Sequence, residues 1–479
     1  LNTWLDGLAL QLGAGGLLRP DRPDDQPKLA PYCREWRGRY VSKPLAVARP
    51  ASTEAVMAVI KACQQACVAV VPQGGNTGLM GGAVAEGEGE GGQLILSLDR
   101  MRRVIEVNVA DACLVAEAGV TLSEANEAAV AHGLRVPIDL ASAGSASLGG
   151  LVASNAGGHL TLRFGTTRAQ VLGLEVVLAD GRCWSGLGSL RKDNAGYDLK
   201  HCFIGSEGTL GVITKVAMAL EPVAVEERVA WVAVQSMDQA VAVLNAMRAA
   251  LGEQLSACEV MPRFGVELAC AHLGHARCPV DVASPWHVLI HLESARSGSN
   301  LEAGLLDVLA TLEAKSETNG DLIDAALATS MDQVQQFWRL REAMSDAQRA
   351  AGLSIKHDVA VPISKLAGFV DQTLAAVEQA CPGLRPCVFG HLGDGSLHFN
   401  LSRPEAMSDA EFAAYELALN EIVFDQVQAH QGSIAAEHGV GKLRVAELAR
   451  RLDPVRWGLM KTLKQALDPQ GLLNPGKVL

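Results

Sequence analysis

The chain has 479 residues, more than one hydrophobic core commonly serves, so two or more domains are expected. Hydrophobic residues make up 49% and charged residues 20%, which excludes a disordered or polar-tail protein. With 53 acidic against 41 basic residues the net charge is −12, and aromatics are only 4%, so neither the basic stripe nor the stacking platform of a nucleic-acid binder is present. Glycine stands at 48 residues, about 10% against a usual ~7%, with no collagen-like period, so the excess belongs to particular loops. The 11 cysteines form no CxxC pair and no ferredoxin-like run. They read as reduced, mostly buried residues of a cytoplasmic protein, with Cys63 and Cys67 expected on one helix face.

Residues 1–16 are apolar, broken by Asp6 and without a positive start, and read as a docked amphipathic helix rather than a signal peptide. The lack of an initiator Met points to a trimmed start. No apolar run reaches the ~18–20 residues of a membrane span. Residues 17–50 are rich in Pro and Arg and read as an irregular lead-in. Ser52 or Thr53 opens a helix over 52–67, followed by a strand over 68–71 that ends at Pro72. Strands are expected over 94–98, 114–118 and 171–178, the last closed by an Asp180-Gly181 turn, and a helix over 121–132 starts at Thr121 with Glu124 at its third position. Between them, 136–165 reads as a long loop. After Pro222 glycine thins out: helices over 239–251, 300–317 and 331–351 separate strands over 228–234 and 287–292, an α+β pattern. Glycines return between 387 and 441, and a helix over 454–467 precedes a Pro/Gly tail. The Glu/Gly insert at 86–92 reads as a mobile loop.

Three glycine-rich loops precede residue 212. In PQGGNTGLMGG, residues 72–82, Gly74, Gly75 and Gly78 permit positive φ and close backbone approach. Consecutive N–H groups there make an anion nest, to which Asn76 and Thr77 add side-chain donors, and a pyrophosphate suits it. The stretch 136–158 is nearly all small residues with one charge, Asp139, as a large flat ligand against backbone requires; Ser145 and Ser147 can donate to oxygens. The third, LRKDNAGYDLKHCFIGSEGTLG at 190–211, sets glycines around Glu207 before a strand begins at Ile213. Tight structural turns are the plain alternative for each.

In this order and spacing the loops resemble the FAD-binding domain of the vanillyl-alcohol oxidase superfamily. The resemblance implies an α+β fold: a two-part FAD-binding domain over 1–222, an α+β substrate (cap) domain with an antiparallel sheet over 223–435, and a segment over 436–479 that returns to the first domain. It implies cofactor contacts from Pro72, Gly74, Gly75, Asn76, Thr77 and Gly78; from Pro137, Asp139, Gly144, Ser145, Ser147, Gly150, Asn155, Gly157 and Gly158; from Glu207, Gly208 and Ile213; and from Asn474 in the terminal LLNPGK. Some members attach flavin through a His of the first loop. Asn76 stands in the comparable place and cannot form that bond, so FAD is expected to be non-covalent.

GHLGDGSLHFN at 390–400 reads as strand, turn, strand, with His391 and His398 brought across from each other by antiparallel pairing and Asn400 on the face of His398. AAEHGVGK at 435–442 adds Glu437 and His438. Two His and a carboxylate, here His391, His398 and Glu437, suit a divalent metal with an open position; a hydrogen-bonded His pair packed under the turn is the alternative. Both motifs resemble the C-terminal domain of FAD-linked D-2-hydroxyacid dehydrogenases. That likeness implies zinc, or manganese or cobalt, on these three residues and His438 as base. A hydroxyacid anion needs cations. Arg341, Ser345 four residues on, Lys356 and Asn400 are the residues the resemblance assigns to it, with Ser345 in place of a threonine; Arg339, Arg349 and Lys365 stand nearby as alternatives. The implied reaction takes a D-2-hydroxyacid to the 2-oxoacid, most strongly D-2-hydroxyglutarate, with D-lactate or a malate-like acid as alternatives. A flavin-free metal hydrolase using His391, His398 and Glu437 is the rival from another class. Without a haem or iron–sulfur motif the electrons must leave to an outside acceptor: electron-transfer flavoprotein by family likeness, otherwise a quinone or cytochrome. A homodimer is compatible with the sequence.

Overall fold

The computed structural model describes residues 2–87, 92–274, 276–319 and 322–479. The core of the 86–92 insert, residues 88–91, lies outside them. The chain divides into two units, one of Leu1–Gly157, Gly165–Val223 and His438–Leu479, the other of Gly158–Phe164 and Ala224–Glu437. The second unit therefore takes residues 158–164 out of a stretch that composition groups with the first.

In the first unit, Ser52 accepts a hydrogen bond from Ala55 N and starts the helix Thr53–Ala66. Its Val56, Val59, Ile60 and Cys63 recur at three- and four-residue steps and are fully buried. Cys67 ends the helix at φ 52° and is exposed, so it does not share the face of Cys63. Thr121 and Glu124 close a reciprocal capping box on the helix Leu122–Val130. The stretch expected as loop over 136–165 holds the helix Leu148–Ser154, capped by Ser147. Leu148, Leu151 and Val152 make its buried stripe, which the small residues around them conceal in the sequence. The expected irregular lead-in likewise contains the helix Gln26–Cys33 and the strands Leu17–Leu18 and Ala46–Ala48.

Two sheets share this unit's core. One has the order Leu17–Leu18, Ala46–Ala48, Leu94–Ser97, Val70–Gln73, with all pairs parallel except the first. The other is antiparallel, in the order Val104–Asn108, Cys113–Glu117, Val212–Ala219, Val171–Val177, Cys183–Ser185. After the helix Pro454–Leu467 the tail pairs beside Val70: Val70 N donates to Leu472 O and Asn474 N donates to Val70 O, both at 2.8 Å. All 11 cysteines are free thiols, and among the described residues no helix is long and apolar enough to cross a membrane.

The second unit carries a seven-stranded sheet in which every neighbouring pair is antiparallel, in the order Leu322–Leu327, Glu226–Val234, Trp286–Ser294, Leu255–Pro262, Arg385–His391, Ser396–Ser402, Ser354–Ala360. Alternate residues feed two different cores: Ala230, Val232 and Val234 enter one, Val229, Trp231 and Ala233 the other. The helices Met237–Leu251, Leu366–Ala380 and Glu416–Ala429 supply the first core; Arg263–Leu273 and Met331–Ala350 supply the second.

Candidate functional site

In the first unit the loop 72–82 is held against the segment 145–150 with almost no clearance. A Cβ on Gly75 would stand 1.8 Å from Ser145 O, and one on Gly74 would stand 2.2 Å from Ser147 Oγ. Asn76 adopts φ 53° and spends both amide hydrogens on Pro31 O and Arg34 O, each at 2.9 Å. This corrects the expectation that its side chain donates to an anion: it anchors the loop, and Thr77 and the backbone N–H groups are the donors that remain. Ser147 Oγ accepts from Gly150 N as the helix cap, which leaves its O–H free to donate elsewhere. Gly78 and Gly144 have open space where a Cβ would be, so packing does not explain glycine there. Pro137 is buried, whereas Asp139 and Ser145 are exposed. Asn155 ends the helix Leu148–Ser154 in the left-handed region and accepts from Arg168 N; the chain passes to the second unit between Gly157 and Gly158.

Glu207 turns its carboxylate to the final segment of the unit, where it accepts from Val440 N and Gly441 N, both at 2.8 Å. Burial pushes this carboxyl above its usual range, and the two N–H groups pull it back. Gly208, at φ 73°, lies against Pro72, and Ile213 is a buried strand residue. Asn474 Nδ2 donates to Gly82 O and Glu207 O, tying the tail to two of the glycine loops. Around these loops Gln73 Oε1, Ser206 Oγ and Asn474 Oδ1 are buried without a hydrogen-bond partner. Orphaned polar atoms beside a clearance-free glycine cradle fit a polar cofactor such as FAD.

In the second unit the sheet's pleat decides which side chains meet. Cys387 and Phe389 enter the core under the helix Met331–Ala350, and His391 continues their alternation. On the next strand Leu397, Phe399 and Leu401 face the opposite core, which turns His398 and Asn400 toward that helix. On the edge strand Ile355, Val359 and Val361 do the same for Lys356 and Asp358. Register then sets Lys356 opposite Asn400 and Asp358 opposite His398. The two histidines are not directly across from each other: His391 pairs with Ser396 and His398 with Phe389, so they are diagonal neighbours with ring centroids 6.1 Å apart. The turn between these strands begins right after His391, which shifts it past the opposite position.

Asp358, His398 and Glu437 each offer a ligand atom within 4.8 Å of the others, and Asp358 Oδ2 also accepts from Glu437 N at 3.0 Å. Glu437 Oε1 lies 2.7 Å from His391 Nε2. The other imidazole nitrogen, Nδ1, meets Glu259 Oε1 at 2.7 Å. Glu259 is 1% exposed, and its Oε2 takes Arg341 Nε at 2.8 Å and an outer guanidinium nitrogen at 2.7 Å. Burial pushes Glu259 up, but the charges of His391 and Arg341 outweigh it and hold the carboxyl at about 2. For His391 burial acts downward, and the carboxylates of Glu259 and Glu437 outweigh it, holding the imidazole well above its usual range. The His398 imidazole and the Asp358 and Glu437 carboxylates, with His391 joined to them through Glu437, make a donor set that fits a divalent cation.

Sequence reading passed over Glu259 and Asp358. The signal for Glu259 was a lone acid inside the apolar strand Leu255–Pro262; Asp358 stands two residues beyond Lys356. Of the proposed acid binders, Arg341 is buried and stacks over Phe389 at 4.8 Å, while Lys356 is half-buried. Asn400 Nδ2 donates to Gln348 Oε1 at 2.9 Å, and Ser345 is exposed on the same helix as Arg341. His438 follows Glu437 directly and opens the final run of the first unit.

Residues 44–185 match the FAD binding domain family, and residues 224–478 match the C-terminal domain of the FAD linked oxidases. The chain is 37% identical over 471 residues to a D-2-hydroxyglutarate dehydrogenase of Xanthomonas citri pv. viticola, covering 98% of this chain and 96% of that one. It is 33% identical to a candidate mitochondrial D-lactate dehydrogenase of Schizosaccharomyces pombe, covering 95% and 86%. Among solved structures, p-cresol methylhydroxylase with bound substrate superposes with a TM-score of 0.73 at 16% identity, over 100% of this chain and 96% of that one; the shared property is the fold, of vanillyl-alcohol oxidase type. These matches set aside the flavin-free hydrolase reading. The chain belongs to the FAD linked oxidase family and is an FAD-dependent dehydrogenase, related over nearly its whole length to D-2-hydroxyglutarate dehydrogenases.

Proposed function

We propose that this enzyme oxidises a D-2-hydroxyacid, foremost D-2-hydroxyglutarate, to the 2-oxoacid, with a divalent metal on His391, His398 and Glu437. The observation that supports it is one sheet face carrying Arg341's partner Glu259, Lys356 and Asn400 together with the His/carboxylate cluster. When bound, non-covalent FAD supplies the two-electron acceptor and the cation supplies Lewis acidity toward a hydroxyl. Arg341 and Lys356 bind carboxylate groups, Ser345 and Asn400 orient the acid, and His438 takes the hydroxyl proton. The electrons leave to an outside acceptor, for which electron-transfer flavoprotein is the first candidate, ahead of a quinone or cytochrome. The free thiols favour a cytoplasmic setting.

The test is an anaerobic titration with the D- and L-forms of 2-hydroxyglutarate, lactate and malate, following flavin bleaching before and after chelation. Bleaching by D-2-hydroxyglutarate that stops on chelation and returns with zinc, manganese or cobalt is the expected result. Stronger bleaching by D-lactate would transfer the assignment to the shorter acid. Bleaching that survives complete metal removal would overturn the metal's role.

A further inference from the structure

We infer that Glu259 is a positioning residue shared by the two halves of the substrate site, fixing the metal-facing nitrogen of His391 with one carboxylate oxygen and the carboxylate-binding edge of Arg341 with the other. The inference rests on the function proposed above. No residue of a recognisable motif includes Glu259, and no assigned role depends on it.

The geometry carries the argument. Glu259 lies in the middle of the strand Leu255–Pro262, directly opposite His391 in the antiparallel register. Its Oε1 accepts from His391 Nδ1 at 2.7 Å, which fixes the ring and turns Nε2 away from the strand, to 2.7 Å from Glu437 Oε1, the nitrogen left for the metal proposed there. A histidine that ligates a metal through one nitrogen commonly donates its other N–H to a carboxylate, which fixes tautomer and ring orientation. The Oε2 atom meanwhile holds two donors of Arg341 at 2.7 and 2.8 Å, on one edge of the guanidinium, and leaves the remaining amino group for a ligand. Phe389, two residues before His391 on the same strand, lies beneath that guanidinium. Glu259 itself is 1% exposed and cannot reach substrate. It acts through two neighbours, and one displacement of its carboxylate moves both.

The test uses the full-length holoenzyme and the isosteric Glu259→Gln variant. Metal affinity is read by competition with a chelator, and FAD content by absorbance. KM and kcat for the bleaching acid are measured with the metal at saturation, and thermal melting is measured alongside. Metal affinity is expected to fall by about 10–100-fold. KM is expected to rise in the same variant under saturating metal, with FAD content as in the parent. Glu259→Asp, which keeps the charge but withdraws it by one methylene, should lie between the two. It reads the same quantities if the glutamine variant melts below assay temperature. A lowered melting temperature with metal affinity and KM both unchanged would make Glu259 merely structural and overturn the proposal. A change in metal affinity with KM unmoved would overturn the shared role. A parent enzyme that binds no divalent metal would overturn the reading on which this rests, and the proposal with it.

Discussion

The glycine cradle of the first unit and the charged cluster of the second are built on opposite principles. In the cradle, side chains are absent or turned to holding loops: Asn76, Ser147 and Glu207 all bind backbone groups, and what remains for a ligand is largely peptide N–H and close approach. In the cluster the backbone only sets register, and Glu259, Arg341, Asp358, His391, His398 and Glu437 act from four strands, a helix and a loop. A backbone site tolerates changes in exposed side chains and fails when a Cβ is added. A side-chain site tolerates backbone variation and fails when one partner of a buried charge is removed.

That contrast can be broken at several points. His438→Ala should have the largest catalytic effect, slowing bleaching by about 10²–10⁴-fold while FAD stays bound. An unchanged rate in stopped-flow would take the base assignment away from it. Gly75→Ala should yield a colourless protein whose metal content is retained, because the new methyl would meet Ser145 O, a backbone atom with no rotamer to escape through. Gly74→Ala should keep most of its flavin, because the atom it meets is the side-chain hydroxyl of Ser147. Equal losses in the two variants, measured by absorbance, would show that clearance at individual glycines is not what the cradle depends on.

On the other side, Arg341→Ala should leave the buried Glu259 carboxylate with one partner fewer and destabilise the second unit by about 3–5 kcal/mol, raising KM while FAD content is unchanged. Denaturant unfolding that shows no loss would mean water reaches Glu259 in the variant. Ser345→Thr is the smallest perturbation. Ser345 is exposed, so stability should change by less than about 0.5 kcal/mol and only KM for a dicarboxylate relative to lactate should shift. A melting change larger than that would place Ser345 in packing rather than recognition.

Legibility followed the same division. The loops 72–82 and 205–211 were readable because clustered glycines are a local signal, whereas the reason for Gly74 and Gly75, close approach to Ser147 and Ser145, lies some seventy positions away. The hairpin of His391 and His398 was readable because both strands and their turn lie within eighteen residues, Arg385–Ser402. The helix Leu148–Ser154 was hidden by its own small residues, and the partners of the Glu207 carboxylate could not be read because they lie on a turn more than two hundred positions away. Glu259 had no neighbour in sequence to give it meaning.

By itself the sequence determined the positions of the glycine-rich loops, the helix starts at Ser52 and Thr121, and the antiparallel hairpin, since each depends on conformation over a few residues. Tertiary structure alone decided that His391 and Arg341 share one buried carboxylate, and that Lys356 and Asp358 face the same core as His398. Those facts depend on strand register and pleat parity between segments far apart in the chain, and a shift of one residue in a strand would have turned its side chains to the other face.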